Sequence, residues 1–285
     1  MKRLMYLFIS VIITITLISA MKINSGKTKT LTLQSLGKNT DTGLLKQSAD
    51  VISSRLKLFG INSSEVKILP DKGQMIIILP EKTDISEIEG LLISKGELSF
   101  YETSTHTEIL DLFKSDNQLF RLLKSQDKST TADPRVGCSE SKVSVDKYLH
   151  SATPIKNCKL LWGNKSEKSG YCLFALKTNQ DGNPLLVRSD IEFVKIATGK
   201  DPQDLKIQIK LNSSATALFA DATEKNLNKS IAIVIDDQVY SWPVVRSAIK
   251  GGEIEVTGNF TKNEVNYFPA VFNSPQLPLD FKILK

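Results

Sequence analysis

Residues that carry chemistry are scarce in this sequence. Its 285 residues include two histidines, three cysteines and two tryptophans. His106 and His150 stand apart from any HExxH helix or GxSxG elbow, and no Gly-rich phosphate loop is present, so the usual signatures of zinc peptidases, α/β-hydrolases and nucleotide-binding enzymes are missing. Cys138, Cys158 and Cys172 lack the CxxC pairs of a zinc site. No cofactor is implied. The formal charge is +6, or +4 once Lys2 and Arg3 are set aside, and these two are the only charged residues before Lys22. That surplus reads as spread along the chain, with no concentrated Lys/Arg stripe to suggest nucleic acid. No second apolar run of spanning length follows Met21.

One such run is present at the start. Leu4 to Met21 is 18 residues without a charge behind a basic flank, "MKR". This pattern predicts a membrane-targeting segment with Lys2 and Arg3 on the cytoplasmic side and the rest of the chain on the far side. The run is long for a signal core and reads as an uncleaved single-pass anchor. The alternative is cleavage near Ala20, where Ile18 matches the small-x-small rule poorly. No cysteine follows the run, which excludes a lipoprotein signal. On the far side disulfides are permitted; a Cys138–Cys158 or a Cys158–Cys172 bridge is open, and the sequence does not choose.

Beyond a polar stem (22–28), hydrophobic periodicity predicts an ordered array. "KTLTLQSL" alternates as a strand. Leu44, Leu45, Ala49, Ile52, Leu56 and Phe59 form a helical stripe ended by Gly60. Two strands follow, Glu65 to Leu69 and "QMIIILP", then a helix capped by Asp84, then "ELSFYE". The β-α-β-β-α-β order over 29–103 is the split βαβ of a ferredoxin-like base. A helix is expected over Glu108 to Lys124, and Ser125 to Lys142 reads as a surface loop within a loop-rich stretch near 125–170. Order resumes at "CKLLWGN" and "GYCLFALKTN". "DLKIQIKL" alternates as a strand, and a helix starts at Asn212 or Ser213. "TGNFTKNEVNYF" combines turn residues Gly258 and Asn259 with a Thr261/Glu264 capping box and a Phe260/Val265 staple. Pro269 should leave that helix short or kinked, and "LPLDFKILK" reads as a final strand.

The stretch "SIAIVIDDQVYSWPVV" places Asp236 and Asp237 side by side. Paired carboxylates can divide acid and base work or bind a hard cation, but no further ligands are marked. Neighbours on a strand point to opposite faces, whereas aspartate tolerates turn geometry, so a hairpin turn is the better account. Ile231, Ile233 and Ile235 alternate with Ala232 and Val234, which predicts a strand buried on both sides. Pro243 should stop the second strand. Trp162 and Trp242, flanked by apolar neighbours, are expected to be largely buried.

"VISSRLKLFGINSSEVKIL", "GQMIIILP", "ELSFYET", "LLWGN", "LFALK", "SIAIVIDDQVYSWPVV", "EVTGNFTKNEV" and "LPLDFKI", in this order, resemble the large periplasmic domain of the SecD/SecDF protein-export family, in a Bacteroidetes-like variant carrying the "LLWGN" insertion. The resemblance implies an α+β fold. A ferredoxin-like base (29–103) would carry an inserted α+β head (104–274), behind a transmembrane anchor or signal (1–21), with 275–285 returning to the base as a strand. It implies structural motif positions at Arg55, Gly60, Asp236, Asp237, Pro243, Gly258, Asn259, Phe260, Thr261 and Pro278, and no catalytic, cofactor or metal residues. The implied partners are Sec translocon components and unfolded secretory polypeptides; the bacterial inner membrane is met through the N-terminal helix, with the bulk of the chain in the periplasm, or the chain is periplasmic after signal cleavage. In the family, proton flow through a multi-helix bundle supplies the energy, and no such bundle is seen before Lys285. The expectation is therefore a non-enzymatic binding module without proton-driven work of its own. The alternative is an envelope assembly protein that keeps the fold without the export role.

Overall fold

The computed structural model describes residues 27–37, 40–113, 117–124, 133–166, 169–198, 205–257 and 261–284. The apolar run Leu4 to Met21 and the turn Gly258–Phe260 lie outside these residues. Among the described residues no helix is long and apolar enough to cross a membrane.

The first unit is built around strand β1 (Thr28–Ser35), helix α1 (Thr42–Phe59), strands β2 (Glu65–Leu69) and β3 (Gln74–Pro80), and helix α2 (Ile85–Ile93). Asp41 caps α1 by accepting the Leu44 N–H at 2.8 Å, and Gly60 closes it in the left-handed conformation, φ 106°. Leu45, Ala49, Ile52 and Leu56 form the buried stripe; Leu44 falls outside it and is exposed. Asp84 caps α2 through the Ser86 N–H. β1 and β3 pair antiparallel, β2 lies beyond β3, and the fourth position beside β1 is taken by β13 (Phe281–Leu284).

Strand β4 (Leu98–Glu102), the "ELSFYE" expected to complete this sheet, leaves it. β4 pairs antiparallel with β10 (Ile231–Ile235), and β10 pairs with β11 (Gln238–Ser241). The reason lies in its two apolar faces. Leu98 and Phe100 join the main core, which also holds Ile231 and Ile233, while Tyr101 joins a second core with Ala232 and Val234. A strand apolar on both sides needs cover on both sides.

Five further helices and two further sheets follow in the described chain. The expected helix from Glu108 to Lys124 is two helices, α3 (His106–Leu112) and α4 (Asn117–Leu122). The expected loop over Ser125 to Lys142 contains strand β5 (Arg135–Ser139) and leads into helix α5 (Val143–Ser151). β5 flanks β7 (Tyr171–Lys177), with β6 (Cys158–Trp162) on the other side. β7 explains this order: Cys172, Phe174 and Leu176 face the second core, and Leu173 and Ala175 face a third core beneath α3, α4 and α5. The last sheet is β12 (Glu253–Thr257), β9 (Leu205–Leu211) and β8 (Ile191–Thr198). Helix α6 (Ser213–Lys225) is capped by Asn212. Helix α7 (Lys262–Phe272) continues for 11 residues through Pro269, held by buried Val265, Phe268, Ala270, Val271 and Phe272. Packing of that stripe overrides the proline penalty.

Neither of the two pairings left open by the sequence forms. Cys138 and Cys172 are cross-strand partners on β5 and β7 and are bonded to each other, which leaves Cys158 free at the opposite end of the sheet. Burial pushes the Cys158 thiol up to about 11.

Candidate functional site

Asp236 and Asp237 form the two-residue loop between Ile235 and Gln238, with φ of 48° and 60°. Both central residues in the left-handed region make a type I′ turn, whose twist matches the flanking strands and which aspartate tolerates. Their carboxylates then diverge in use. Asp236 accepts the Ser94 hydroxyl at 2.5 Å and the Glu97 N–H at 2.8 Å, and its own N–H donates to the Glu97 carbonyl. Asp237 is paired with Lys159 at 2.6 Å on an exposed surface. Asp236 lines a pocket of about 280 Å³ with Asn164, Ile235, Gln238, Tyr240 and Tyr267, and Asp237 does not. The two side chains thus share no site. Among the described residues no group of three His, Cys, Asp or Glu could hold a metal.

The Ser94–Glu97 link that Asp236 holds is also gripped from below. Arg55, fully buried on α1, donates to the carbonyls of Leu91, Ser94, Lys95 and Pro275 and to the Ser274 hydroxyl. Arg188, absent from the sequence-based expectation, donates to the carbonyls of Gly96, Val271, Phe272 and Ser274. Most of these acceptors are the orphan carbonyls that follow α2 and α7, the negative ends of two helix dipoles. Burial pulls the Arg55 guanidinium down to about 10, opposed by Tyr267 and Asp236, and burial lowers Arg188 likewise. Gly96 is required here: at φ 79°, an added Cβ would meet Arg55 Nη2 at 2.9 Å. Nothing local in "PLLVRSD" distinguishes Arg188, because its acceptors lie far away in sequence.

The other motif positions fall in separate places. Gly60 caps α1. Pro243 accepts the Ile231 N–H and lies on the rim of an apolar groove. Thr261 accepts the Val265 N–H through its carbonyl at the start of α7. Pro278 lines a shallow depression with Gln47, Val51 and Pro275. Tyr240 and Trp242 do not form one surface. The register between β10 and β11 shifts at Ile233/Val234, so Tyr240 is the extra residue of a bulge. Tyr240 packs edge-on to Phe268, at 5.0 Å, while Trp242 packs on Phe174, at 4.6 Å, in the second core.

A further concavity takes Ile231, Ile233 and Pro243 from the "SIAIVIDDQVYSWPVV" motif, although no motif position marks it as a groove. A groove of about 300 Å³ runs between β12 and the segment Pro243–Ile249. Phe100, Phe219, Ile231 and Ile233 form its floor, and Ile254, Glu255 and Thr257 of β12 form one wall. The opposite wall is fixed by the Ile249 N–H donating to Thr223 Oγ1 and the Val245 N–H donating to the Lys229 carbonyl. β12 is an edge strand whose ladder runs to β9. The Leu211 N–H donates to the Gly252 carbonyl. Alternation from that bond turns the backbone groups of Glu253, Glu255 and Thr257 outward, beside the groove.

Residues 175–279 match the family model of the SecDF P1 head subdomain. This head-matching range includes β8 to β12, α6, α7 and every groove-lining residue except Phe100. The protein translocase subunit SecD of Calditerrivibrio nitroreducens is 24% identical over 242 residues, covering 85% of this chain and 40% of that protein. SecD of Endomicrobium trichonymphae is 22% identical over 249 residues, covering 85% and 46%. The chain thus spans less than half the length of these two curated relatives. Two solved SecDF structures, each 18% identical and covering 90% of this chain, share the fold. One, SecDF in a super-membrane-facing form, aligns with a TM-score of 0.51 over 29% of its own chain. The other, described as a membrane component that enhances protein export, aligns with 0.50 over 98% of its own. The chain is similar to the SecD/SecDF periplasmic domain over most of its length.

Proposed function

We propose that this chain is a SecD-like periplasmic module of Sec-dependent protein export that holds extended, unfolded polypeptide at the β12 edge. Similarity to SecD supports the export role. One observation carries the binding mode: a strand edge with outward backbone donors and acceptors borders an apolar groove. An added strand gains main-chain hydrogen bonds there, and alternate side chains enter the groove, which favours apolar extended segments of many sequences. Such holding is reversible and needs no catalytic group, so the proposed role is non-enzymatic. The four-stranded sheet, with β1 and β3 central, reads as a ferredoxin-like base closed by β13. In this reading Leu4 to Met21 is a single-pass anchor beside the Sec translocon, and the described residues lie in the periplasm.

Site-specific photo-crosslinking in cells tests this reading. A crosslinker replacing Arg246 on the groove rim should capture secretory precursors, and one replacing Lys67 on β2 should not. Exclusive capture of an envelope protein unrelated to export would overturn the proposal and favour the assembly role.

A further inference from the structure

The positive charge of this protein is segregated, contrary to the spread expected from a pass along the sequence. Residues 133–177 carry eight Lys/Arg against four Asp/Glu, while the rest of 22–285 balances at 27 against 27. The entire surplus of +4 thus belongs to β5, β6, β7 and α5. Nearly all of this unit precedes the head-matching range, which begins at residue 175.

Two of its cations, Lys142 and Lys165, gather at one corner, and Lys147 lies on the helix that starts there. Lys142 Nζ lies 4.6 Å from the Tyr171 ring centroid and 5.8 Å from that of Trp162, and Lys165 lies 5.8 Å from Tyr171. Val143, 74% exposed, adjoins Lys142, and Lys147 follows one turn along α5. The inward stripe of α5, Val145, Tyr148 and Leu149, packs into the third core, so Val143 and Lys147 sit on its outer side. Elsewhere in the unit Arg135, Lys159 and Lys177 are held by Asp133, Asp237 and Glu108. Lys142, Lys147 and Lys165 form no ion pair among the described residues. Asp146, on the same helix, accepts the Trp162 indole N–H at 2.7 Å.

We infer that this corner is a docking surface for anionic lipid headgroups. Lysines beside half-buried Trp and Tyr rings and an exposed aliphatic side chain match the composition of a membrane interface, where amphipathic rings sit at headgroup depth. Lysine is a point charge and offers no bidentate fork, so the corner suits a fluid array of phosphates better than one shaped anion. In the proposed reading the 18-residue apolar run near the start anchors the chain, which would bring such a surface within reach. Docking here turns the unit toward the bilayer and leaves the β12 groove, on another sheet, free for its own ligand.

The test uses the full chain reconstituted into vesicles with brominated acyl chains. Trp242→Phe leaves Trp162 as the single tryptophan reporter. Vesicles containing phosphatidylglycerol should quench Trp162, phosphatidylcholine alone should not, and 0.5 M salt should relieve the quenching. Each of Lys142→Ala, Lys147→Ala and Lys165→Ala should lower the ratio of docked to free states about fivefold. Equal quenching in both lipids, or none in either with an unchanged circular dichroism spectrum, overturns the assignment. So does a Trp162 response to soluble poly-glutamate as large as that to anionic vesicles, which would make the partner an acidic polypeptide.

Discussion

The two edges of the β12-β9-β8 sheet are treated in opposite ways. On β8 the Asn273 side chain accepts the Val194 N–H at 2.9 Å and donates to the Val194 carbonyl at 2.7 Å, so one amide imitates a neighbouring strand. On β12 the outward backbone borders the apolar groove. Edge strands invite pairing and are usually blunted. Within one sheet, the edge packed on α7 is plugged and the edge beside the groove is not, so the proposed strand addition would fall on β12.

Three substitutions and one labelling measurement would break or sharpen that contrast. The largest effect is expected from Phe219→Ala, which hollows the groove floor beneath its edge-to-face contact with Phe100. It should cost about 3–5 kcal/mol in denaturant unfolding, and a loss under 1 kcal/mol would show that the groove is not formed as described. Asn273→Ala should cost about 1–2 kcal/mol by unpairing two backbone groups of Val194. It should also speed amide exchange at Val194 while leaving β12 unchanged. Glu255→Pro should change stability by less than about 1 kcal/mol, because its N–H points away from β9. The same change should abolish precursor crosslinking from the Arg246 position; undiminished crosslinking would exclude strand addition. The smallest effect is on Cys158. With its thiol pushed up to about 11, alkylation at pH 8 should run about a hundredfold slower than for an exposed thiol. None of the three variants should change that rate if the edges act locally.

Features set by neighbours in sequence were readable from it. The α1 stripe with Gly60, the Asp84 and Asn212 caps, the two-sided apolar β10 and the Asp236–Asp237 turn each depend on a few adjacent residues. What escaped depends on distant ones. "ELSFYE" looks like a fourth base strand because its local pattern does not name its partner, and that partner, β10, is some 130 residues away. The Cys138–Cys172 bridge follows from a strand register, and that strand was hidden in a polar, Gly-containing stretch. The groove and the Asn273 plug escaped for the same reason. Arg55 was marked only by resemblance; its role, like that of Arg188, rests on carbonyls from two separate helix ends. The basic corner was missed because charge was read along the chain and not by structural unit.

The place of β13 bears on when the protein can finish folding. Thr32 of β1 pairs with Leu284, whereas Gln34 pairs with Gln74 of β3. Closing the longer loop costs about 1.6 kcal/mol more chain entropy than closing the shorter one. The β1-β3-β2 meander can therefore assemble long before β13 arrives, with one flank of β1 bare throughout. For a chain made from its N-terminus, that interval is the stretch most exposed to mispairing with another copy.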